Sequence, residues 1–262
     1  MGVVNVTPDS FYDGGRHFSP DRAIEHARRL IDEGADILDL GAESTRPGAE
    51  PTDAATELAR LLPLLKALRD APVPLSIDTM KPEVMRAAAY EGASLVNDVY
   101  ALRMPYAVEA VAAAGVSVCL MHMQGEPRTM QKAPHYEDVV AEVKLFLAER
   151  AAAAEAGGIA RDRILIDPGF GFGKTVGHNM RLLAELRSLG QLGYPVLFGA
   201  SRKSSLGAIT GRSGGERLAA SLAAALLAVE RGAAIVRVHD VAQTRDVLAV
   251  RAAMTQAEAV NR

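Results

Sequence analysis

The chain has 262 residues, 49% hydrophobic and 23% charged, with 29 Lys+Arg against 32 Asp+Glu and a formal net charge of −3. That length supports a full core, the apolar fraction excludes a disordered chain, and the charge balance excludes a broad nucleic-acid face while allowing a local anion site. The single cysteine, Cys119, excludes an internal disulfide, no apolar run approaches the roughly 18 residues of a membrane span, and Met1–Thr7 lacks the marks of a signal peptide, so a cytoplasmic protein is expected.

Eight short apolar runs read as strands: Val3–Val6, Ile37–Leu40, Val73–Ile77, Leu95–Val96, Val116–Met121, Ile164–Ile166, Val196–Phe198 and Ile235–Val238. Several are apolar on successive residues, the pattern of parallel strands covered on both faces. Amphipathic segments lie between them. Ser19-Pro20-Asp21 opens the first, with a stripe of Ala23, Ala27, Leu30 and Ile31 and a stop at Gly34. Leu58, Leu61, Leu62, Leu65 and Leu68 repeat at helical spacing after Thr52, with Pro63 predicting a kink or an early start. Pro82 opens the next helix and Gly92 closes it. Val139, Val140, Val143, Phe146 and Leu147 mark what reads as the longest helix, ended by Gly157-Gly158; Leu182–Leu189, Arg217–Glu230 and Val241–Met254 complete the series.

This is strict alternation of eight strands with about eight helices over 262 residues, with no linker. Such alternation gives a parallel sheet, and its count and length fit one closed (β/α)8 barrel over residues 1–262 better than an open doubly wound sheet.

In such a barrel the site forms at the C-terminal ends of the strands. Each apolar run here ends in polar groups: Asn5; Asp39, then Glu43–Arg46; Ser76 and Asp78; Asn97-Asp98; His122; Asp167; Ser201–Ser204; Arg237 and His239. For one strand, a helix cap explains such a residue, and Thr79, Asp98 and Asp240 read equally well as caps. Eight on one rim, mixing carboxylates, amides and cations, point to a ligand, because buried charge is costly unless paired or occupied.

The glycine stretch Gly169–Lys174 ends in Gly-Lys-Thr but lacks the leading glycine of a phosphate loop, since Pro168 stands there; the dinucleotide pattern fails as well. It reads instead as a loop giving backbone access to a ligand, with Phe172 as a flat face. The six histidines show no zinc spacing: His26 reads as a surface residue, while His122 and His239 at strand ends are either site or structural residues. Cys119 reads as a buried small hydrophobe.

Taken in order, Asn5–Phe11, Asp39–Gly48, Ser76–Thr79, Asn97-Asp98, Asp167–Lys174, Ser201–Ser204 and Arg237–Asp240 resemble the bacterial dihydropteroate synthases. The resemblance implies a pterin-binding (β/α)8 barrel and a transferase of folate biosynthesis. It joins 4-aminobenzoate to 6-hydroxymethyl-7,8-dihydropterin diphosphate, releases diphosphate, uses Mg²⁺, is inhibited by sulfonamides and forms a homodimer. It places the pterin on Asp78, Asn97, Asp167, Lys203 and Met121. The diphosphate falls to Asn5, Arg46, Ser204, Arg237 and His239, with Asn5 also the magnesium ligand. The aminobenzoate falls to Phe11, Thr45, Arg46, Pro47, Phe172 and Ser201. Asn5, Asp78, Lys203, Arg237 and His239 are the implied catalytic set. Two other readings are a pterin-binding methyltransferase domain, which would not need the Ser44–Gly48 and Ser201–Ser204 features together, and a non-catalytic paralogue. The first strand begins almost at Met1, with fewer leading residues than this resemblance implies.

Overall fold

A computed structural model describes residues 1–6, 12–13, 17–43, 51–126 and 128–260. Its eight main strands are β1 (Gly2–Asn5), β2 (Leu38–Gly41), β3 (Leu75–Asp78), β4 (Leu95–Asp98), β5 (Ser117–Met121), β6 (Ile164–Asp167), β7 (Val196–Phe198) and β8 (Ala233–Val236). Each pairs in parallel with the next. A parallel bridge between Gly2 and Val238 joins the last to the first, with Val3 N–H donating to the Val238 carbonyl at 3.0 Å, so the sheet closes into a (β/α)8 barrel. Tyr12–Asp13 and His17–Phe18 form a small antiparallel ribbon after β1.

Ten α-helices occur among the described residues: α1 (Pro20–Asp32), α2 (Ala54–Ala67), α3 (Pro82–Tyr90), α4 (Ala107–Ala114), α5 (Val139–Ala156), α6 (Val176–Ala184), α7 (Leu186–Gly190), α8 (Ser204–Thr210), α9 (Leu218–Glu230) and α10 (Val241–Val260). Of the expected start signals, Pro20 and Pro82 occupy first turns, whereas Ser19 precedes α1 without a side-chain cap hydrogen bond. Asp53 caps α2 by accepting from Thr56 N–H at 2.8 Å, and Asp138 caps α5, two caps the sequence reading did not name. Pro63 lies inside α2 and does not end it. The predicted single helix Leu182–Leu189 is two, α6 starting earlier behind the Thr175 cap and breaking at Glu185. Sequence reading passed over α8 because its seven residues, with Gly207 inside, show no apolar period. The longest helix is α10 at 20 residues, not α5 at 18.

The strands divide the apolar residues between two compartments. Leu38, Leu40, Ile77, Val96, Val118, Leu120, Ile164, Ile166, Val196 and Phe198 face outward into a shell shared with the helices. Met1, Leu95, Cys119 and Leu197, with Ile37, Leu165 and Ile235, fill the barrel's lower interior. Cys119 is fully buried there, as expected. Two residues further along the same strands, hence on the same inward face, stand Asp39, Asn97, Met121, Asp167 and Arg237. An apolar plug therefore carries a polar layer directly above it.

Candidate active site

Arg237 organises the polar layer. Its Nε donates to Asp39 Oδ2 at 2.5 Å and its Nη2 to Asp78 Oδ2 at 2.8 Å, joining β8 to β2 and β3 across the interior. Asp39, fully buried, also accepts from Ser76 Oγ at 2.6 Å and Asn97 Nδ2 at 3.2 Å. Three donors, one of them a cation, make it the foundation of the site, a role the sequence reading did not assign, although its placement two residues after inward-facing Ile37 was the available signal. Asn97 Oδ1 is buried with no hydrogen-bond partner among the described residues, an acceptor awaiting a donor.

Asn5, Gly41, Asp78 and Asn97 lie in register on β1 to β4. Gly41 keeps the space between them open: a Cβ would stand 3.3 Å from the Asp78 Cβ, a tight approach, and 3.6 Å from Asn5 Oδ1. Burial pushes the Asp78 carboxyl up to about 7; Arg237 opposes this, and Asp39 and Glu57 add to it. Burial also raises Asp167, against Lys203 and the Gly169 N–H, which donates to Asp167 Oδ1 at 2.7 Å.

Lys203 follows the turn after β7, where Arg202 adopts a left-handed φ of 59°. Ser221 Oγ accepts Arg202 N–H and Arg217 donates to the Arg202 carbonyl, each at 2.9 Å, so the turn is fixed from behind. Lys203 Nζ donates to the Phe170 carbonyl at 2.5 Å and sits 4.5 Å from the centre of the Phe172 ring. Burial pulls its ammonium down to about 8, with Asp167 opposing. Phe172 packs with Met121, Val99, Met123 and Met130, an apolar wall beside the polar layer. His239 is pulled down to about 4 by burial and then by Arg237, so its imidazole is neutral at pH 7; its Nδ1 lies 3.0 Å from Ser201 Oγ.

The structure thus gathers Asn5, Asp78, Asn97, Met121, Asp167, Phe172, Ser201, Lys203, Arg237 and His239 at one end of the barrel. Ser204 opens α8 as an exposed residue. Phe11, Thr45, Arg46 and Pro47 lie outside the described residues. Asp98 behaves as a cap, accepting from Tyr100 and Leu102 N–H at 2.7 Å each, and Thr79 Oγ1 accepts from Lys81 N–H. Asp240 precedes α10 and pairs with Arg202. His122 is buried and faces Lys174 and the edge of Phe146, away from the polar layer.

A family model described as pterin binding enzyme matches residues 1–239. The Escherichia coli (strain K12) dihydropteroate synthase is 48% identical over 251 residues, covering 95% of this chain and 89% of that protein. The chain belongs to the dihydropteroate synthase family.

Among solved structures of the family, the Xanthomonas albilineans enzyme with 4-aminobenzoic acid superposes with a TM-score of 0.92 at 55% identity, over 97% of this chain and 92% of that one. A second structure of the X. albilineans enzyme holds 7,8-dihydropteroate, at a TM-score of 0.88. The Yersinia pestis enzyme, in complex with a sulfonamide drug, gives 0.93 at 44% identity over 98% and 94% of the two chains. The family's barrel is therefore the one described above.

Beside the site lies a second charged cluster that the sequence reading missed. Lys81 Nζ donates to Glu43 Oε2 at 2.5 Å and to Glu57 Oε2 at 2.6 Å, and Glu43 Oε1 accepts from Thr52 N–H at 2.9 Å. Glu57 is fully buried. Its spacing of four from Leu61 and seven from Leu64, both on the buried face of α2, was the readable clue.

Proposed function

We propose that the chain joins 4-aminobenzoate to 6-hydroxymethyl-7,8-dihydropterin diphosphate, giving 7,8-dihydropteroate and diphosphate. The observation that carries this reading is the layer of acceptors, half-buried Asp78 with buried Asn97 Oδ1 and Asp167, set beside two cations, Arg237 and Lys203. A reduced pterin offers adjacent donors at its 2-amino group and N3, which one carboxylate accepts as a fork; Asp167 takes that role in this reading. Ionised Asp78 and Asn97 Oδ1 accept from the opposite ring edge, and Lys203 donates toward O4 and N5.

The diphosphate then lies toward Asn5, Arg237 and His239, with Arg46 and Ser204 completing its contacts. Arg237 commits Nε and Nη2 to the two aspartates, which leaves Nη1 for a phosphate oxygen. The C–O bond to diphosphate breaks with its electron pair leaving on oxygen, and the electron-rich ring stabilises the exocyclic cation. Arg237 and neutral His239 receive the departing charge. The aniline nitrogen of 4-aminobenzoate attacks from the Phe172 side and loses one proton. Phe172, Ser201 and the Lys203 stem support that pocket, with Phe11, Thr45 and Pro47; sulfonamides would compete there.

No three His, Cys, Asp or Glu side chains converge to hold a metal among the described residues. Asn5, a half-buried neutral amide, suits a magnesium ion that keeps most of its shell as water and diphosphate oxygen, and such an ion would neutralise leaving-group charge. Exposed Leu218, Leu227, Val250 and Met254 on α9 and α10 support a homodimer. A cytoplasmic location follows from the same reading.

The test is diphosphate release on mixing both substrates with Mg²⁺. Release supports synthesis; pterin binding without release would support a non-catalytic binder. In calorimetry, Asp167→Asn should abolish measurable pterin diphosphate binding, and unchanged affinity would refute the pterin placement.

A further inference from the structure

The glycine loop after β6 is held at almost every polar atom. Gly169 N–H binds Asp167, Gly171 N–H donates to Asn179 Oδ1 at 2.7 Å, and the Gly171 carbonyl accepts from Gln131 at 2.6 Å. The Phe170 carbonyl accepts from Lys203 and the Gly173 carbonyl from Tyr136 at 2.8 Å. The two remaining carbonyls, Gly169 at 3.1 Å and Phe172 at 2.9 Å, accept from one atom, Lys174 Nζ. That nitrogen also lies 2.9 Å from His122 Nδ1.

Nothing in the reaction above uses Lys174 or His122, yet they are 2% and 6% exposed. Burying a lysine this deeply is costly unless its donors are all used. Here four acceptors surround three N–H groups, the His122 carbonyl lying 3.4 Å away as well, and a charged Lys174 donates to His122 Nδ1 only in the tautomer with that nitrogen unprotonated. The loop is also pressed against the end of β5. A Cβ at Gly169 would stand 1.8 Å from the His122 carbonyl oxygen, and one at Gly173 would stand 2.5 Å from that of Gln124.

The geometry points to Lys174, oriented by His122, as a positioning residue for substrate binding: by tying the Gly169 and Phe172 carbonyls to the end of β5, it sets the Asp167 carboxylate and the Phe172 face without touching a substrate. Through Gly169 it fixes the N–H that orients Asp167. Through the Phe172 carbonyl it fixes the ring that packs with Met121 and under Lys203. Lys174 makes no hydrogen bond to Asn5, Ser204, Arg237 or His239, the described groups assigned to the leaving diphosphate.

This inference rests on the synthase reading and makes a distinct kinetic forecast. In Lys174→Met, KM for both pterin diphosphate and 4-aminobenzoate should rise by about tenfold or more, with kcat at saturation within about threefold of the parent. A lysine that merely stabilised the fold would lower kcat with the fraction of folded enzyme and leave both KM values unchanged, which would overturn the proposal. His122→Leu removes one acceptor and keeps the lysine, so KM should rise by about threefold or more at nearly unchanged kcat. Should Lys174→Met fail to fold, His122→Leu decides alone, and unchanged KM there overturns the positioning role. Diphosphate release by the parent is measured alongside. Its absence would refute the synthase reading itself, whereas release by the parent with unaltered KM in the variants refutes only this inference.

Discussion

Replacing Arg237 by Met removes the one cation that, among the described residues, pairs with both Asp39 and Asp78. Asp39 is fully buried, and its Oδ2 loses a partner at 2.5 Å; Asp78 loses one at 2.8 Å. Breaking a buried ion pair by deleting one side costs about 3–5 kcal/mol. Ser76 and Asn97 still donate to Asp39, so the lower end is expected at pH 8, about 3 kcal/mol. The sign with pH follows from Asp78, whose carboxyl is already pushed up to about 7 in the folded protein. The folded form therefore holds its proton more tightly than the unfolded chain. The stability this gives is present at low pH and is lost as pH rises from the ordinary carboxylate range through about 7. Without Arg237 the folded value rises further, and each added unit widens the gap between variant and parent above pH 7 by about 1.4 kcal/mol. Urea denaturation followed by circular dichroism at pH 8 and pH 5.5 measures both differences. The variant's deficit should be smaller at pH 5.5, and adding Asp39→Asn and Asp78→Asn to Arg237→Met should recover much of it. A deficit below about 1 kcal/mol at pH 8, or one that grows on acidification, would refute the assignment of Arg237 as the counter-ion of this layer.

Two further outcomes follow. On the proposed pterin placement Asp78 accepts most strongly when ionised, so calorimetric affinity for the dihydropterin alcohol, which carries no phosphate, should rise by up to about tenfold between pH 6 and pH 8. Asp78→Asn should flatten that rise, and an equal rise in the variant would assign it to another group. Gly169→Ala places a methyl against the His122 carbonyl at a φ of +67°, and should cost more than about 2 kcal/mol in thermal unfolding. Gly190→Ala, with nothing within 4 Å, should stay within about 0.5 kcal/mol, and equal effects at the two positions would show that the loop is not close-packed.

The barrel was legible because its strands are apolar on both faces and its helices carry proline, acidic caps and glycine stops at their ends. The rim was legible because Asp78, Asn97 and Asp167 each follow an apolar run and Asn5 and Arg237 interrupt one near its end. Their pairings were not. Arg237 and Asp39 are 198 positions apart and Arg237 and Asp78 are 159 apart, and nothing local to any of them names the partner. Asp39 stayed in the background for this reason, as did Lys174, whose neighbours Gly173 and Thr175 direct attention to phosphate chemistry while its side chain turns inward to carbonyls. His122 was left open between a structural and a site role; its ring lies against Lys174 and Phe146, and its part in the site is the indirect one inferred above. Helix α8 was hidden by its small side chains, and the α6–α7 break by an apolar pattern that runs across Glu185.

The cluster of Lys81 with Glu43 and Glu57 bears on how freely this rim can vary. Glu43 and Thr52 bracket residues 44–51, and they are joined to each other and, through Lys81, to α2 and the start of α3. The ends of that segment are therefore set independently of what lies between them. Lengthening a chain between fixed ends costs little, about 0.6 kcal/mol for each doubling. Insertions and substitutions between Glu43 and Thr52 can then accumulate without loosening the barrel, so long as the bracket holds. Changes within this stretch therefore act on the ligands assigned to Thr45, Arg46 and Pro47 rather than on the fold, whereas the glycine loop opposite, fixed atom by atom, couples any change to the barrel itself.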